Sequence, residues 1–301
     1  MEQNNSKTAF IAIVGCPNVG KSSLLNRMLG QKVAIVTNKP QTTRTRIMGV
    51  LTEGETQFVF TDTPGYHRPK NKLGEKMIKA VMGSIDGVDA ALLVVEPEKG
   101  IRPEEERLLE RLAKEKIPTI LVINKTDTVK NKELIAERIA ELSPLHDFSA
   151  IVPLSAIKGD GVKDLLKELD KLAQNSPHFF PDDALTDQPE RVIAAEIIRE
   201  KMLKLLKWEV PHGVAVSIEK MTMREDKDIL DIDAVIYCEK DTHKGIIIGK
   251  RGAMLKKIST YAREDMEKFF DSKVNLHCWV KVKEGWRDRE GLIHNFGLDN
   301  G

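Results

Sequence analysis

Along the first half of the chain, apolar residues recur in short runs at 10–14, 58–60, 90–95, 119–123 and 151–154, each followed by a turn and a helically spaced stretch. A buried strand reads as a continuous apolar run, and an amphipathic helix repeats every three to four positions. The rhythm therefore predicts βαβ units around a mostly parallel sheet. Helices are expected at 21–29, 73–85, 103–114, 132–142 and 162–173. Gly30 can end the first, and Pro103 with three following glutamates suits a helix start, where acidic side chains meet the positive end of the dipole.

The pattern stops after Ala173. "QNSPHFFPDDALTDQPE", 174–190, carries three prolines among short polar residues and reads as a linker. Beyond it, 191–206 has helical spacing, 214–218 and 229–237 alternate like strands, a long helix runs to Phe270, and 274–282 returns as a strand. The expected units are an α/β domain at 1–173, the linker at 174–190, an α+β domain at 191–285 and a tail at 286–301.

Two domains agree with 301 residues, each long enough to bury a core. The net charge of +1 means that any basic surface must be local. The opening MEQNNSKTAF lacks the basic flank and apolar run of a signal peptide, and no stretch approaches the ~18 apolar residues of a spanning helix, so a cytoplasmic protein is expected. Cys16, Cys238 and Cys278 are too scattered for a metal knuckle and odd in number; they are expected to pack.

"GCPNVGKS", 15–22, follows the first strand and opens the first helix, the context that G-x-x-x-x-G-K-[ST] requires. In such a loop Gly15, Asn18, Val19, Gly20, Lys21, Ser22 and Ser23 surround a phosphate chain. Backbone N–H groups wrap it, Lys21 reaches the β- and γ-phosphates, and Ser22 ligates Mg²⁺. A ligand-free glycine turn would not need Lys-Ser at that point.

"FVFTDTPG", 58–65, places Asp62 to hold Mg²⁺ through water and the Gly65 N–H to meet the γ-phosphate. Alone it is a good turn sequence; its position between the other motifs makes it specific. In "ILVINKTD", 120–127, the Asp127 carboxylate can accept from guanine N1–H and the exocyclic amine, groups that adenine does not present there. Asn124 would tie this loop to the phosphate loop and the Lys125 stem would cover the base. "PLSAIKGDG" places Ser155 and Ala156 near guanine O6. These elements in this order resemble the translation-factor-like class of P-loop GTPases over 10–173, which implies GTP hydrolysis with Mg²⁺, and Lys21, Thr43 and Gly65 as the residues nearest the reaction.

Many such GTPases orient the attacking water with a glutamine just after the Asp-x-x-Gly turn; here Tyr66 stands there. That is similar to a subgroup with a hydrophobic residue in its place, although an aliphatic one is expected. Members with asparagine at the position of Asn18 bind K⁺ beside the phosphates; the alternative for Asn18 is a turn residue. The polar stretch "TNKPQTTRTRIMG", 37–49, suits a segment that orders around the γ-phosphate, and the resemblance makes Thr43 the metal-sensing threonine, with Thr42 the fallback. Arg44 and Arg46 are either charge donors or solvated.

A second glycine-lysine loop, "HKGIIIGKRGAMLKKI" at 243–258, is not a second P-loop. Its glycines stand four apart rather than five, and Arg251 replaces the magnesium-binding hydroxyl. "GKRG", 249–252, is instead a G-x-x-G loop between two helices, where side-chain-free Gly249 and Gly252 admit an RNA or single-stranded DNA backbone. Lys244, Lys250, Arg251, Lys256 and Lys257 supply local positive charge with no acid from 243 to 257. A helical corner with a solvated basic face is the bland alternative.

The α-β-β-α-α-β order resembles a KH domain of the second topology. With the GTPase domain, the linker and the tail "EGWRDREGLIHNFG", the whole chain is similar to the Era family of bacterial ribosome-assembly GTPases. The resemblance implies binding of small-subunit ribosomal RNA near its 3′ end, with weak peripheral association at the inner face of the cell membrane; nothing in the sequence demands a dimer, so a monomer is expected. Trp286 in the tail either stacks on a base or packs on the domain. The competing reading is a regulatory GTPase whose C-terminal domain docks a protein or membrane partner.

Overall fold

The structure, a computed structural model, describes residues 6–39, 41–66, 69, 71–98, 100–225 and 227–298. Residues 1–5 and 299–301 of the expected units, and Pro40 of the polar stretch, lie outside the described residues.

The first unit runs β1 (Lys7–Val14), α1 (Lys21–Leu29), β2 (Ile47–Glu53), β3 (Thr56–Asp62), α2 (Lys72–Gly83), β4 (Ala90–Val95), α3 (Pro103–Glu115), β5 (Thr119–Ile123), α4 (Glu133–Leu142), β6 (Ala150–Pro153) and α5 (Val162–Asp170). The strands line up as β2-β3-β1-β4-β5-β6. Only β2 on this path is antiparallel to its neighbour. Alternate residues of the central strand face opposite layers: Ile11 and Ile13 pack with α1 and α5, while Ala12 and Val14 pack with α2, α3 and α4. That two-sided burial is why the strands read as unbroken apolar runs.

β2 was not visible as a run. It is an edge strand with a mixed buried and exposed pattern, interrupted by Gly49. A Cβ at Gly49 would meet Leu25 Cδ1 of α1 at 2.7 Å, so packing excludes an apolar side chain in mid-strand.

The segment 174–190 lies against this sheet. Its start forms β7 (Gln174–Asn175), antiparallel to β1. Phe179 meets Phe10 edge to face, Gln57 Oε1 accepts from the Phe179 and Phe180 N–H groups, and Val50 N–H donates to Leu185 O.

The second unit comprises α6 (Glu190–Leu205), β8 (Ala215–Met223), β9 (Ile229–Cys238), α7 (Asp241–Ile248), α8 (Ala253–Phe270) and β10 (Lys273–Val282). Its sheet is ordered β10-β9-β8, with β9 and β10 parallel. One face is covered by the helices: Ile232, Ala234 and Ile236 pack on Ile258, Ala262 and Met266. The tail adds α9 (Glu290–Asn295), which the sequence pattern did not disclose.

Trp286 settles its own alternatives. Its ring is fully buried with Leu73 and Met77 of α2, Ala215 of β8 and Ile293 of α9, and its Nε1–H donates to Gly213 O at 2.9 Å. A buried tryptophan removes about 200 Å² from water, roughly 5 kcal/mol, enough to pin the tail where α2 meets the second domain.

Candidate functional site

The β1–α1 loop is shaped for close approach. Gly20 has φ +99°, and a Cβ there would strike Asn124 Nδ2 at 2.2 Å, so only glycine lets the base-reading loop touch the phosphate loop. Asn124 fastens the two: Nδ2 donates to Val19 O at 2.9 Å, and Oδ1 accepts from Ala156 N–H at 3.0 Å. Ser155 Oγ donates to Asp127 Oδ1 at 2.6 Å, and Arg27 Nε donates to Ala156 O at 2.8 Å. Lys125, at φ +64°, turns its ammonium to Glu96, a partner no motif signals.

Lys21 lies inside the loop, with Nζ donating to Gly15 O and Cys16 O, both at 3.0 Å. Burial pulls its pKa down to about 8. Ser22 Oγ donates to Asp62 Oδ2 at 2.5 Å and lies 2.9 Å from Thr43 Oγ1, so three elements bring hard oxygen donors to one point. Burial pushes the Asp62 carboxyl up to about 6, against the pull of Lys21. Asp62 Oδ1 is buried with no hydrogen-bond partner among the described residues, an acceptor left over for a cation. This all-oxygen set fits Mg²⁺.

Thr43 rather than Thr42 points here; Thr42 Oγ1 donates to Lys39 O at 2.6 Å and sits 2.7 Å from Thr37 Oγ1. A cavity of about 320 Å³ opens over these residues, lined by Asn18, Lys21, Ser22, Ser23, Thr43 and Gly65 among others. Thr37 and Asn38 of the polar stretch also line it, and so do Ile35 and Val36, which no motif marked. Asn18 has φ +65°, and its Nδ2 donates not to its own loop but to Asn38 O, at 3.2 Å. Tyr66 does not line the cavity: it is buried with Val14, Val81 and Ile85. Its ring is part of the core on the α2 side of the sheet.

The expectation of Arg44 as a charge donor or a solvated side chain is corrected. Arg44 is buried and points away from the cavity, into the second domain: Nη1 donates to Val214 O at 2.6 Å, Nη2 to His212 O at 2.9 Å, and the guanidinium lies 5.7 Å from the Trp286 ring centre. It makes no direct ion pair among the described residues, and burial lowers its pKa to about 9. Neighbouring segments are held likewise. Arg199 of α6 donates to Thr42 O, Lys32 donates to Glu200 at 2.6 Å and Asp265 at 2.9 Å, and Val36 N–H donates to Glu200 Oε1 at 3.1 Å. The stretch that lines the cavity is thus gripped from behind by α6, α8 and the loop before β8. Arg46 is exposed and does not line the nucleotide cavity.

The second loop presents the opposite character. Gly249 has φ +71°, and a Cβ there would meet Met254 Cβ at 2.7 Å. Lys250 and Arg251 stand exposed between the two glycines, and Lys256 and Lys257 are exposed on the first turns of α8. None of these, nor half-buried Lys244, makes an ion pair among the described residues. Lys257 lies 5.7 Å from the ring centre of Tyr261, which is exposed, as is Ile246 on α7. These two apolar groups beside the loop were not singled out from sequence, where each fits a helical core pattern.

Residues 10–125 match the family model for 50S ribosome-binding GTPases, and residues 209–287 match that for KH domains. The chain is 50% identical over 294 residues to GTPase Era of Clostridioides difficile, covering 98% of this chain and 99% of that protein. This chain belongs to the Era family of GTPases. Identity to GTPase Era of Clostridium kluyveri is also 50%, over 97% of this chain and 99% of that one. The Era family fold covers nearly the whole molecule. Aquifex aeolicus Era bound to GDP.AlF4⁻ superposes with a TM-score of 0.93 at 38% identity, over 97% of this chain and 99% of that one. A structure of Era with MgGDPNP and nucleotides 1506–1542 of 16S ribosomal RNA gives the same values. As an Era-family member the chain is a GTPase, hydrolysing GTP to GDP and phosphate. Among the described residues, no helix is long and apolar enough to cross a membrane.

Proposed function

We propose that this Era-family GTPase is a GTP-controlled switch that binds small-subunit ribosomal RNA near its 3′ end and assists assembly of the small subunit. The observation that carries the reading is the double engagement of residues 32–44: they line the nucleotide cavity and are held from behind by the KH domain. A change at Thr43 is therefore a change at Arg44 and Thr42, and so in how the domains meet. The related Era structure with MgGDPNP and 16S fragment supports both ligands.

In this reading Lys21 leaves its two carbonyls for the β- and γ-phosphates, and the Gly65 N–H faces the γ-phosphate. Ser22, Thr43 and Asp62 hold Mg²⁺, which supplies positive charge against the phosphates. Asp127 takes the guanine N–H groups, Lys125 covers the base, and Ser155 and Ala156 lie at O6. Lys244, Gly249, Lys250, Arg251, Gly252, Lys256 and Lys257 contact RNA phosphates. K⁺ at Asn18 belongs to the same reading; hydrolysis is then severalfold faster in K⁺ than in Na⁺, and equal rates would remove that assignment. A monomer in the cytoplasm belongs to this reading too, and weak contact to the inner membrane face rests on the family alone.

The test is binding of a small-subunit RNA fragment with a non-hydrolysable GTP analogue and with GDP, across salt, for wild type and the Lys250→Asp, Arg251→Asp double variant. Tighter binding with the analogue, steeply salt-dependent and lost in the variant, is expected. RNA affinity indifferent to nucleotide and to both substitutions would return the loop to a structural corner.

A further inference from the structure

The KH sheet has a second face. Side chains of β9 and β10 that point to the helices are apolar and buried or half-buried, while the alternate residues His277, Trp279, Lys281 and Lys283 face the other way. Part of that outer face is covered by the tail, which packs Phe296 on Tyr237 and Ile293 beside Ala215. Beyond the tail the face is open, and Trp279 stands on it with 48% of its surface in water.

The ring is held rather than loose. It stacks on His277, with centroids 6.1 Å apart and planes 22° from parallel. Its strand partner is buried Val235, so apolar surface lies beneath it. Two and four positions along, Lys281 and Lys283 are exposed and make no ion pair among the described residues. Of the acids on this face, Asp231 is bound by Arg224 and Asn275, Asp233 sits opposite His277, and exposed Glu219 lies near Tyr237, the strand partner of Lys281. A large pre-oriented aromatic surface followed by unpaired ammonium groups is the combination that takes a nucleobase and its phosphates, because every base has a π-face and every linkage a negative charge.

We propose that Trp279, with Lys281 and Lys283, is a stacking platform for an unpaired base of single-stranded RNA, separate from the G-x-x-G loop. The inference rests on the RNA reading above. β10 is an edge of the sheet, and the loop lies on its helical side, so a strand leaving the loop reaches the platform by crossing that edge. Protein docking is disfavoured as the occupant by the unpaired lysines, which suit a polyanion.

The experiment uses the full chain carrying Trp208→Phe, which removes the other exposed indole, and a mixed-sequence eight-nucleotide RNA. Quenching of Trp279 fluorescence is expected on RNA addition. Trp279→Ala should weaken binding about tenfold and Trp279→Phe only about twofold, the latter also controlling for folding. In the Lys250→Asp, Arg251→Asp background, residual quenching at higher RNA concentration is expected, since the platform is a separate contact. If RNA binds, the double variant loses it, and neither quenching nor the Trp279→Ala loss is seen, the platform is overturned while the RNA reading stands. If wild type binds no RNA, both fall.

Discussion

The loop at 15–22 keeps its lysine inside the molecule, on two backbone carbonyls, whereas the loop at 249–252 keeps Lys250 and Arg251 in water. The first has its surroundings built: Asn124 crosses to Val19, and Ser22 and Thr43 converge on Asp62. The second has charge and two glycines, and no fixed partner for either side chain among the described residues. An enclosed loop with every polar group aimed can select one small ligand, because an imperfect ligand leaves buried groups unpaired. An open basic loop favours any backbone phosphate, so its selectivity must come from neighbours such as Ile246 and Tyr261. The same Gly-Lys composition serves either end, and burial decides which.

Substitutions should separate the two loops. Lys21→Ala is expected to lower GTP hydrolysis by more than about a hundredfold, since it deletes the charge at the transferred phosphoryl group. A fall of less than tenfold in single-turnover kinetics would mean that Lys21 stays on its carbonyls when GTP binds. Lys250→Asp with Arg251→Asp should weaken RNA binding about a hundredfold and flatten its logarithmic salt slope by about two. An unchanged slope in a salt titration would remove both side chains from the phosphate contact.

A smaller effect comes from pH. With the Asp62 carboxyl raised to about 6 by burial, protonation competes with Mg²⁺ below that pH. Calorimetry should find Mg²⁺ affinity level above about pH 6 and roughly tenfold weaker at pH 5. The sign for folding is the reverse: protonation of Asp62 stabilises the metal-free protein below pH ~4, and that contribution is lost as pH rises through about 6. Urea unfolding with and without Mg²⁺ checks this, because bound metal should abolish the dependence.

The contrast also shows what was legible in the sequence. The strands were legible because a sheet covered on both faces needs continuous apolar runs, and β2 was not, because an edge strand crowded by α1 carries Gly49 in mid-run. The nucleotide motifs were legible because phosphate, metal and base each demand a residue type at a fixed offset. The grip on residues 32–44 was not. Arg44, the adjacent pair Arg199 and Glu200, and Asp265 lie on three segments far apart in the chain, and each residue fits an ordinary solvated or helical position until the domains are brought together. Trp286 stood between stacking and packing for the same reason: its pocket is made of α2, β8 and α9, elements that do not meet in sequence.

The central claim is that the two loops communicate through that grip. The most direct test is GTP-analogue affinity with and without the small-subunit RNA fragment, in wild type and Arg44→Met. Coupling in the usual range predicts that RNA tightens the analogue about tenfold in wild type, that the analogue tightens RNA by the same factor, and that Arg44→Met brings both close to one. Nucleotide affinity that RNA leaves untouched in wild type, or a coupling that survives Arg44→Met undiminished, would contradict it.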